Sequence, residues 1–543
     1  MRQAMAKKDM GDKEENALNE NASFDKMNKR IIAEIKGVSF RYAQDGSSLS
    51  CLNNVSLQLR EGECVLLTGL SGCGKTTITR LINGLIPHYY EGVMSGSVVL
   101  EDKDVSQLPI YQISSNVATV FQNPKSQFFN LDTTSEIVFF LENMGFPFEK
   151  MHERLTFVSK FLNIEHLLDR NIFNLSGGQK QMIAIASALA SDANIIVFDE
   201  MTSNLDLHYI EKIAQALKLL KEEGKTLLIS EHRLYFLKDI IDRAVIMKDG
   251  KVEHVFTRNE FLSLSDEQRK KLLLRPINID DSIFEKTIDS EVCASKQVAS
   301  ACAESKNKEL VIKELVYRYP NVHEDFLNCK NITMQFGKVI ALVGKNGQGK
   351  TTFAQCLIGL IKARKDCVLL DGKKQSAKAR LSSSYLVMQD VGYQLFTESV
   401  VEEVELGKNK IRKKKELQEN SSSPATEEIL QFMNLSDLKE RHPLSLSGGQ
   451  KQRVSIACAI SADANIIIMD EPTSGMDYFH MKETASIINK LLTPEKLIII
   501  ISHDVEFLSY VADEIMVMEK GEIILHSPFT SSEACKIFEY LKE

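Results

Sequence analysis

Cysteine never occurs in a metal-binding pattern in this sequence. None of the ten cysteines forms a C-x-x-C pair, and no group of Cys and His residues has the spacing of zinc ligands. Most of the cysteines fall in apolar stretches typical of strands or helices, where a free buried thiol is the expected state. The pattern argues against a zinc module and fits a reducing cytosol.

Long apolar runs are also missing. The longest, such as LIIIIS at 497 to 502, have the length of a strand, well short of the roughly 18 residues that a membrane-spanning helix needs. The N-terminal stretch MRQAMAKKDMGDKEENALNENASFDK is polar and mixed in charge, without the apolar segment of a signal peptide. We therefore expect no membrane-spanning segment, and a disordered tail over residues 1 to 30.

A basic excess is absent as well. The net charge of -8 argues against a protein that coats nucleic acid, because such proteins carry surplus Lys and Arg. The length of 543 residues, with 43% hydrophobic and 26% charged residues, is typical of a globular protein of about two to four domains. The one basic run, KNKIRKKK at 408 to 415, is interpreted as a solvated surface loop.

What the sequence does contain is an internal repeat. GLSGCGKTT at 69 to 77 matches GKNGQGKTT at 344 to 352, and LSGGQKQ occurs at 175 to 181 and again at 446 to 452. In both copies the serine of LSGGQ precedes an aspartate by 23 residues, and that aspartate precedes a histidine by 33 residues. Because these intervals are identical, we expect a fixed strand and helix scaffold between the motifs.

Each copy alternates short apolar strands, such as CVLLTG and NIIVFDE, with helical stretches. This order predicts an α/β fold with a parallel sheet and crossover helices in each half. The predicted domains are residues 31 to 265 and 309 to 543. The segment from 266 to 308 is polar with little periodicity, and we interpret it as a linker.

Both copies contain the pattern G-x-x-x-x-G-K-[ST], after an apolar strand and before a helix, which is the context of a phosphate-binding loop. The lysine reaches the β and γ oxygens and the next threonine binds Mg²⁺. Cys73 is interpreted as a small residue that fits the loop rather than as a redox switch. The predicted phosphate-binding residues are Gly69, Leu70, Ser71, Gly72, Cys73, Gly74, Lys75, Thr76 and Thr77, and Gly344, Lys345, Asn346, Gly347, Gln348, Gly349, Lys350, Thr351 and Thr352.

Two apolar strands, IIVFDE and IIIMDE, end in a pair of carboxylates. Buried parallel strands end this way where a site lies at their carboxyl edge. We expect Asp199 and Asp470 to hold Mg²⁺, and Glu200 and Glu471 to orient and deprotonate the attacking water. The alternative is a salt-bridged pair at a strand end, which a phosphate loop in the same half makes less favoured.

LSGGQ is typical of a loop that opens a helix and offers backbone N–H groups to an anion. Together with the phosphate loops and acidic strand ends it resembles the ATP-binding cassette (ABC) ATPases, over 31 to 265 and 309 to 543. The resemblance implies two tandem P-loop NTPase domains, each with a parallel-sheet core and a helical subdomain. It also implies that LSGGQ of one half closes over ATP held by the other.

In that arrangement Ser176, Gly177, Gly178 and Gln179 cap ATP bound at Lys350. Ser447, Gly448, Gly449 and Gln450 likewise cap ATP bound at Lys75. Two ATP molecules, each with Mg²⁺, are then sandwiched at one pseudo-symmetric interface between the fused halves.

The resemblance assigns roles to further pairs of residues: Tyr42 and Tyr319 stack on adenine, Gln122 and Gln389 touch Mg²⁺, Asp206 and Asp477 belong to the D-loops, and His232 and His503 lie near the γ-phosphate. The implied metal ligands are Thr76, Gln122, Asp199, Thr351, Gln389 and Asp470. The first half departs from the family at Met201, where a proline is usual, and it has Met182 where the second half has Arg453. Because the glutamates and histidines are present in both halves, both sites are expected to hydrolyse ATP, whether or not at equal rates.

Three stretches, VFQNPKSQFFN, VMQDVGYQLFTESVVEEVELG and LINGLIPHYYEGVMSG, are similar to the ATPases of energy-coupling factor (ECF) transporters. That resemblance implies a prokaryotic importer of a vitamin or metal ion, with the chain at the cytoplasmic face of the membrane. Its partners are then a transmembrane coupling subunit and a small substrate-binding membrane subunit. The residues expected to form a groove for cytoplasmic helices of the coupling subunit are Phe128, Phe129, Phe396, Glu136, Glu398, Glu402 and Glu403.

Ordinary packing of the helical subdomain is the alternative interpretation of those side chains. The rival function is a soluble tandem ABC ATPase that acts on ribosomes or nucleic acid. Such proteins often carry a long charged helical linker, an iron–sulfur domain or a coiled-coil insertion, and the sequence contains none of these patterns. Nucleic acid is therefore not an expected partner, and the sequence does not specify the transported substrate.

Overall fold

The computed structural model describes residues 29 to 43, 51 to 203, 205 to 279, 308 to 320, 323 to 415 and 426 to 542. The predicted tail lies outside these residues apart from positions 29 and 30. The strands of the first half are β1 Ile31–Tyr42, β2 Leu52–Arg60, β3 Cys64–Gly69, β4 Gly92–Leu100, β5 Lys103–Asp104, β6 Val117–Val120, β7 Ile195–Asp199, β8 Thr226–Ser230, β9 Arg243–Lys248 and β10 Lys251–Thr257. Those of the second half are β11 Glu309–Tyr317, β12 Leu327–Gln335, β13 Lys338–Val343, β14 Lys365–Leu370, β15 Lys373–Lys374, β16 Ser384–Val387, β17 Ile466–Asp470, β18 Leu497–Ile501, β19 Glu514–Glu519 and β20 Glu522–Pro528.

Most helices of the first half have a counterpart in the second. The first half has α1 Lys75–Ile82, α2 Leu85–His88, α3 Ile110–Asn116, α4 Thr133–Asn143, α5 Phe148–Phe161, α6 Gly177–Ala190, α7 Leu207–Glu222, α8 Arg258–Leu262 and α9 Asp266–Lys271. The second half has α10 Lys350–Leu357, α11 Ala377–Ser383, α12 Val400–Lys415, α13 Thr426–Phe432, α14 Gly448–Ser461, α15 Tyr478–Leu491, α16 Val505–Val511 and α17 Ser531–Lys542.

Each half is built on a six-stranded sheet. The strand order is β10-β9-β3-β8-β7-β6 in the first half, and β20-β19-β13-β18-β17-β16 in the second. All neighbours are parallel except the outermost pairs, β9 with β10 and β19 with β20. Strands β3, β7 and β8 are buried at every position, because one face of the sheet packs on helices such as α6 and α7 and the other on α1 and strands β1 and β2. Because these strands are parallel, their carboxyl ends lie at one edge of the sheet. The phosphate loop, the acidic pair and the histidine follow them there.

A second sheet in each half was not predicted. Strands β2-β1-β4-β5 form an antiparallel sheet, and β12-β11-β14-β15 form its equivalent. The core between the two sheets of the first half contains Phe40, Leu67 and Ile78, all of them inaccessible or nearly so. The predicted fold class is confirmed, with this sheet added to each parallel core.

The helical subdomain of the first half consists of α4, α5 and α6, which pack against one another. In the second half α12, α13 and α14 take the same places. The basic run at 408 to 415 was predicted to be a surface loop, but its backbone forms the last turns of α12. The run contains no Gly or Pro that would indicate a loop, and Lys and Arg both have a high helix propensity.

The chain between the halves is ordered further than the sequence indicated. Residues 266 to 279, assigned to the linker, contain α9 and then a buried stretch that crosses to the second half. Arg275 donates to Asp504 at 2.6 Å and to the carbonyl of Met476 at 2.8 Å. This segment is polar in composition, yet its arginine is buried by ion pairing rather than exposed. The rest of the predicted linker, 280 to 307, lies outside the described residues.

The end of the second half packs on the first in return. The Phe538 ring of α17 meets Tyr235 with ring centroids 6.3 Å apart, and the carbonyl of Lys542 lies 3.3 Å from Nδ1 of His208. Each half therefore ends in a segment that contacts the other half. These contacts hold the two sheets with their motif-bearing edges facing each other.

Candidate functional site

The two phosphate loops have the same conformation. Gly69, Gly72 and Gly74 have φ of 139°, 79° and 103°, and the equivalent glycines of the second loop have φ of 153°, 79° and 105°. Residues that carry a side chain rarely adopt these φ angles, so the loop needs glycine at each of these positions. A Cβ atom on Gly69 would lie 2.2 Å from the carbonyl oxygen of Met247, which excludes any larger residue.

The lysine of each loop turns back into the loop itself. Lys75 Nζ donates to the carbonyls of Gly69 and Leu70 at 3.2 and 3.0 Å, and Lys350 Nζ donates to Gly344 and Lys345 at 2.6 and 2.9 Å. Both lysines are buried. A buried ammonium surrounded by loop N–H groups is suited to phosphate oxygens, which would replace these carbonyl acceptors.

Beside each lysine lies a pair of oxygen atoms suited to Mg²⁺. Thr76 Oγ1 is 3.3 Å from Asp199 Oδ1, and Thr351 Oγ1 is 2.6 Å from Asp470 Oδ2. Burial and the neighbouring Glu200 raise the pKa of Asp199 to about 6, and burial raises the pKa of Asp470. Within the described residues no three His, Cys, Asp or Glu side chains form a complete metal site. Two protein oxygens plus phosphate oxygens and water are the usual Mg²⁺ ligands of such a loop, so the residues fit the ion.

The glutamates that follow these aspartates are held in an unusual backbone conformation. Glu200 and Glu471 have φ of 48° and 50°. Each backbone N–H is fixed by a carbonyl of the adjacent strand, Ser230 at 2.8 Å and Ile501 at 2.8 Å. A non-glycine residue with positive φ costs about 1 kcal/mol or more, and such strain is concentrated at functional sites. It aims both carboxylates away from the strand and into the space beside the lysines.

The surroundings of the two glutamates differ. Glu200 Oε2 accepts from Gln122 Nε2 at 2.9 Å, and Glu200 Oε1 is 3.3 Å from His232 Nε2 and 3.8 Å from Lys75 Nζ. Burial works to raise the pKa of Glu200, but the contact with His232 and the charge of Lys75 outweigh it and lower the pKa. Burial and Asp470 raise the pKa of Glu471 to about 7. No sequence pattern indicated this inequality between equivalent positions.

The two histidines lie beside the strand-end glutamates. His503 Nε2 is 3.5 Å from Glu471 Oε1 and 3.1 Å from Asn346 Oδ1 of the phosphate loop. Burial and Lys75 lower the pKa of His232, and burial and Lys350 lower that of His503 well below its usual value. Both imidazoles are therefore neutral at physiological pH and each can donate or accept one hydrogen bond beside a bound phosphate.

The LSGGQ motifs both form capping boxes. Ser176 Oγ accepts from Gln179 N at 3.3 Å while Gln179 Oε1 accepts from Ser176 N at 2.9 Å, which starts α6. Ser447 and Gln450 do the same for α14. The first N–H groups of a helix have no partner within it, and the box satisfies only the third. The N–H groups of the two glycines in each motif are thus left for an anion.

Residues from the two halves meet in one cavity of about 1260 Å³. Its lining includes Lys75 and Thr76 of the first half with Ser447 and Gly448 of the second. It also includes Ser176 and Gly177 of the first half with Asn346 and Gly347 of the second. The predicted association of each LSGGQ motif with the opposite loop is therefore compatible with the shape of the interface.

The D-loop aspartates join the halves directly. Asp477 Oδ2 accepts the backbone N–H of Ser71 at 2.6 Å, and Asp206 Oδ2 accepts that of Asn346 at 2.8 Å. The other oxygen of each carboxylate caps the helix that follows, α15 or α7. Sequence reasoning placed both aspartates near ATP but did not find these contacts, which no pattern within one half encodes.

The tyrosines expected at adenine lie beside the phosphate loops. The hydroxyl of Tyr42 is 3.3 Å from Thr77 Oγ1, and that of Tyr319 is 3.0 Å from Thr352 Oγ1. Both hydroxyls are thus anchored on the helix that starts at the loop, and Tyr319 is 39% exposed. Arg80 also donates to the hydroxyl of Tyr42 at 3.0 Å, whereas the equivalent position in the second half is Gln355.

Two of the acids predicted to line a docking groove are instead structural. Glu136 and Glu403 are buried, and each accepts backbone N–H groups of the loop before it. A carboxylate that satisfies loop N–H groups is held inside, so these residues do not present charge to a partner. Phe128 is also partly buried against the core, whereas Phe129 and Phe396 are exposed. Glu398 and Glu402 are exposed as expected.

No helix within the described parts of the chain is long and apolar enough to cross a membrane. A protein-family model described as ABC transporter matches residues 52 to 203 and 327 to 474. An ABC transporter ATP-binding protein of Treponema denticola is 42% identical over 490 residues, which is 90% of this chain and 96% of that protein. A protein of the same description from Methanosarcina acetivorans is 33% identical over 89% of this chain and 84% of its own length.

Solved structures with the same two-domain architecture include an RNase-L inhibitor, with a TM-score of 0.59 and 25% identity, covering 93% of both chains. A model of ribosome-bound archaeal Pelota and ABCE1 has a TM-score of 0.62 and 25% identity, covering 93% of this chain and 80% of that one. The sequence relatives and the structural relatives are thus similar to this chain along nearly its whole length.

Proposed function

The chain belongs to the ABC transporter family as a tandem ABC ATPase, and on that premise we propose that it is the ATP-hydrolysing motor subunit of an ECF-type importer. It would use two composite ATP sites to drive uptake of a vitamin or metal ion through separate membrane subunits. The proposed partners are a transmembrane coupling subunit and a small substrate-binding membrane subunit, with the chain at the cytoplasmic face of the membrane.

Hydrolysis follows from the groups at the edge of each sheet. On binding of ATP, Lys75 and Lys350 exchange their carbonyl acceptors for β and γ oxygens, and the tyrosines beside the loops stack on adenine. Thr76 with Asp199, and Thr351 with Asp470, would hold Mg²⁺, which would supply positive charge against the charge developing on the phosphates. Glu200 and Glu471 then orient the attacking water and accept its proton, with the neutral histidines beside the γ-phosphate.

Closure brings in the opposite half. The N–H groups of Gly448 and Gly449 reach the γ-phosphate held at Lys75, and those of Gly177 and Gly178 reach the one held at Lys350. The D-loop contacts are consistent with this pairing, because Asp477 lies between the second LSGGQ motif and the first phosphate loop. Neither half completes a site alone.

The observation that carries the membrane-partner proposal is a pair of exposed phenylalanines. Phe129 and Phe396 are 77% and 79% exposed. Each is fixed by the buried glutamate seven residues later, since Glu136 accepts the N–H of Phe129 at 3.0 Å and Glu403 accepts that of Phe396 at 2.8 Å. A rigid loop that leaves a phenylalanine in water is typical of a protein-binding surface, because burying the ring is worth about 1.5–3 kcal/mol.

These loops also connect the surface to the ATP sites. Each exposed phenylalanine follows a Q-loop glutamine, and Gln122 Nε2 donates to Glu200 at 2.9 Å. Displacement of the loop by a partner would therefore move a side chain that touches the proposed base. Because an exposed phenylalanine fixed by a buried glutamate occurs in both halves, two helices of one coupling subunit could be held at once.

The alternative is a soluble tandem ABC ATPase that acts on ribosomes. It is favoured by the likeness to a ribosome-bound ABCE1 and an RNase-L inhibitor, each at 25% identity. The importer is favoured by relatives named as ABC transporter ATP-binding proteins, at up to 42% identity over nearly their full length. The net charge of -8 also gives little attraction to ribosomal RNA.

The test compares co-sedimentation of the full chain with washed membranes and with purified ribosomes from its own host, at physiological salt. We expect the wild type in the membrane fraction. The variant with both Phe129→Ala and Phe396→Ala should be lost from this fraction without a change in melting temperature. Tyr89→Ala, which removes an aromatic that is 74% exposed outside these loops, is the matched control and should stay with the membranes. Sedimentation with ribosomes but not membranes would instead establish the alternative.

A further inference from the structure

The two LSGGQ motifs differ in what lies on their second glycine. In the first half this is Tyr209, because a Cβ atom on Gly178 would lie 2.2 Å from its ring carbons Cγ and Cδ2. The ring is held in place by Lys212, whose Nζ is 5.4 Å from the ring centroid, and by an edge contact with His208 at 5.7 Å. Gly178 is buried as a result.

In the second half the equivalent residue is His480, and it leaves the glycine open. A Cβ atom on Gly449 would lie 3.9 Å from His480 Cδ2. The imidazole is drawn to the D-loop, where Nδ1 is 2.9 Å from both carboxylate oxygens of Asp477. A tyrosine ring has a C–H at the position of Nδ1 and its hydroxyl lies at the far end of the ring, so it cannot make this bond from the same place. His480 also lines the shared cavity.

The helices that begin at the two motifs, α6 and α14, also differ in their side-chain contacts. In the second half Arg453 of α14 pairs with Glu483 of α15 at 2.7 Å. In the first half the position of Arg453 is taken by Met182, which is buried in the core. The first motif is thus covered and apolar at its base, whereas the second is open and fixed by charged groups.

The D-loops assign each motif to a site. Tyr209 stands three residues after Asp206, which binds the loop of the Lys350 site through Asn346. His480 stands three residues after Asp477, which binds the loop of the Lys75 site through Ser71. The covered glycine therefore belongs to the Lys350 site and the open one to the Lys75 site.

We propose that Tyr209 makes the Lys350 site the weaker of the two ATP sites, because its ring lies on Gly178 and must move before that glycine can face the γ-phosphate. Tyr209 is a positioning residue that acts through Gly178. The inference rests on the proposed composite sites and adds an order to them: ATP closes the Lys75 site first. Moving the ring out of its contacts with His208 and Lys212 corresponds to up to about a tenfold change in an equilibrium constant.

The experiment measures equilibrium binding of Mg·ATP to the full chain carrying Glu200→Gln and Glu471→Gln, so that hydrolysis does not intervene. We expect two classes of site with affinities that differ by about tenfold. Added Tyr209→His should tighten the weaker class by about this factor and leave the tighter one unchanged. The reverse change, His480→Tyr, should weaken the tighter class.

Tyr209→Phe is the matched control, because it keeps the ring on Gly178 and removes only the hydroxyl; it should bind ATP as the parent chain does. The melting temperatures of all variants verify folding. Unchanged affinities in Tyr209→His, or loss of the tighter class on Lys350→Ala, would overturn the inference. If instead Lys75→Ala and Lys350→Ala did not each remove one class of site, the assignment of the ATP sites would itself be wrong.

Discussion

The carboxylate of Asp477 accepts the backbone N–H of Ser71 at 2.6 Å, across the boundary between the two halves. The same carboxylate caps α15 through its other oxygen, which accepts from His480 N at 2.8 Å. One side chain thus links a helix start in one half to the phosphate loop of the other. A displacement of the phosphate loop would therefore be passed on to the start of α15.

Asp477→Ala should therefore lower both stability and ATPase activity. Loss of a helix cap costs about 1 kcal/mol, and the link to Ser71 is lost with it. Asp477→Asn keeps an oxygen acceptor and should retain most of the stability. Thermal melting and steady-state ATPase assays measure both effects. A variant Asp477→Ala that melted and hydrolysed ATP like the wild type would show that the contact is incidental.

The two glutamates at the strand ends should act as general bases. A chain with Glu200→Gln and Glu471→Gln should bind ATP and hydrolyse it at least about 100-fold more slowly, which is the usual contribution of such a base. The amide keeps the size of the side chain and its place near the lysine. Phosphate release and ATP binding are measured on the same preparation. Near-normal turnover would rule out the role of base.

Glu506 should make stability depend on pH. Burial raises its pKa to about 7 from a usual 4.5, since Arg275, 3.8 Å away, is already paired with Asp504 at 2.6 Å. The folded chain holds this proton more tightly than the unfolded chain, so the stability that it adds is present below pH 4.5 and is lost as the pH rises to about 7.

Glu506→Gln cannot ionise and should be more stable than the wild type above pH 7, by up to about 3 kcal/mol. The difference should vanish at low pH. Chemical denaturation of both proteins across this pH range measures it. An equal pH dependence in the two proteins would contradict the burial of an ionisable carboxyl at this place.

Glu403 should support the exposed Phe396 loop rather than bind a partner. Its Oε2 accepts from Phe396 N, Thr397 N and Thr397 Oγ1 at 2.8, 2.9 and 2.9 Å. Glu403→Ala should therefore destabilise the chain by at least about 2 kcal/mol, because these donors lose their acceptor. The neighbouring Glu402 is exposed, and Glu402→Ala should change stability by less than about 0.5 kcal/mol. Equal effects of the two changes on denaturation would refute the support role.

The motifs of this chain were predictable because they are local. A phosphate loop, an acidic strand end and LSGGQ each lie within a few residues, and the equal spacing of the two copies indicated one scaffold. The contacts between halves were not predictable in the same way. Asp206 and Asn346 are 140 residues apart in the chain, and nothing in either stretch encodes their pairing.

Buried polar residues were the other source of error. Glu136 and Glu403 stand among aromatic residues in a polar stretch, so the sequence favoured exposure, whereas hydrogen bonds to loop N–H groups keep them inside. Arg275 likewise stands in a polar segment and is buried by two carboxylates. In each case a partner distant in sequence, or a backbone group that no pattern marks, decides burial.

The central claim is that each ATP site is completed by the other half. It is tested most directly by introducing the same mutation into one LSGGQ motif or the other. In a chain with Glu471→Gln only the Lys75 site can turn over, and its ATPase rate is the reference. We predict that Ser447→Arg in this chain abolishes the remaining hydrolysis while ATP still binds at Lys75, and that Ser176→Arg leaves the rate near the reference. Loss of activity with Ser176→Arg and not with Ser447→Arg would show that each half closes its own site, and would contradict the account.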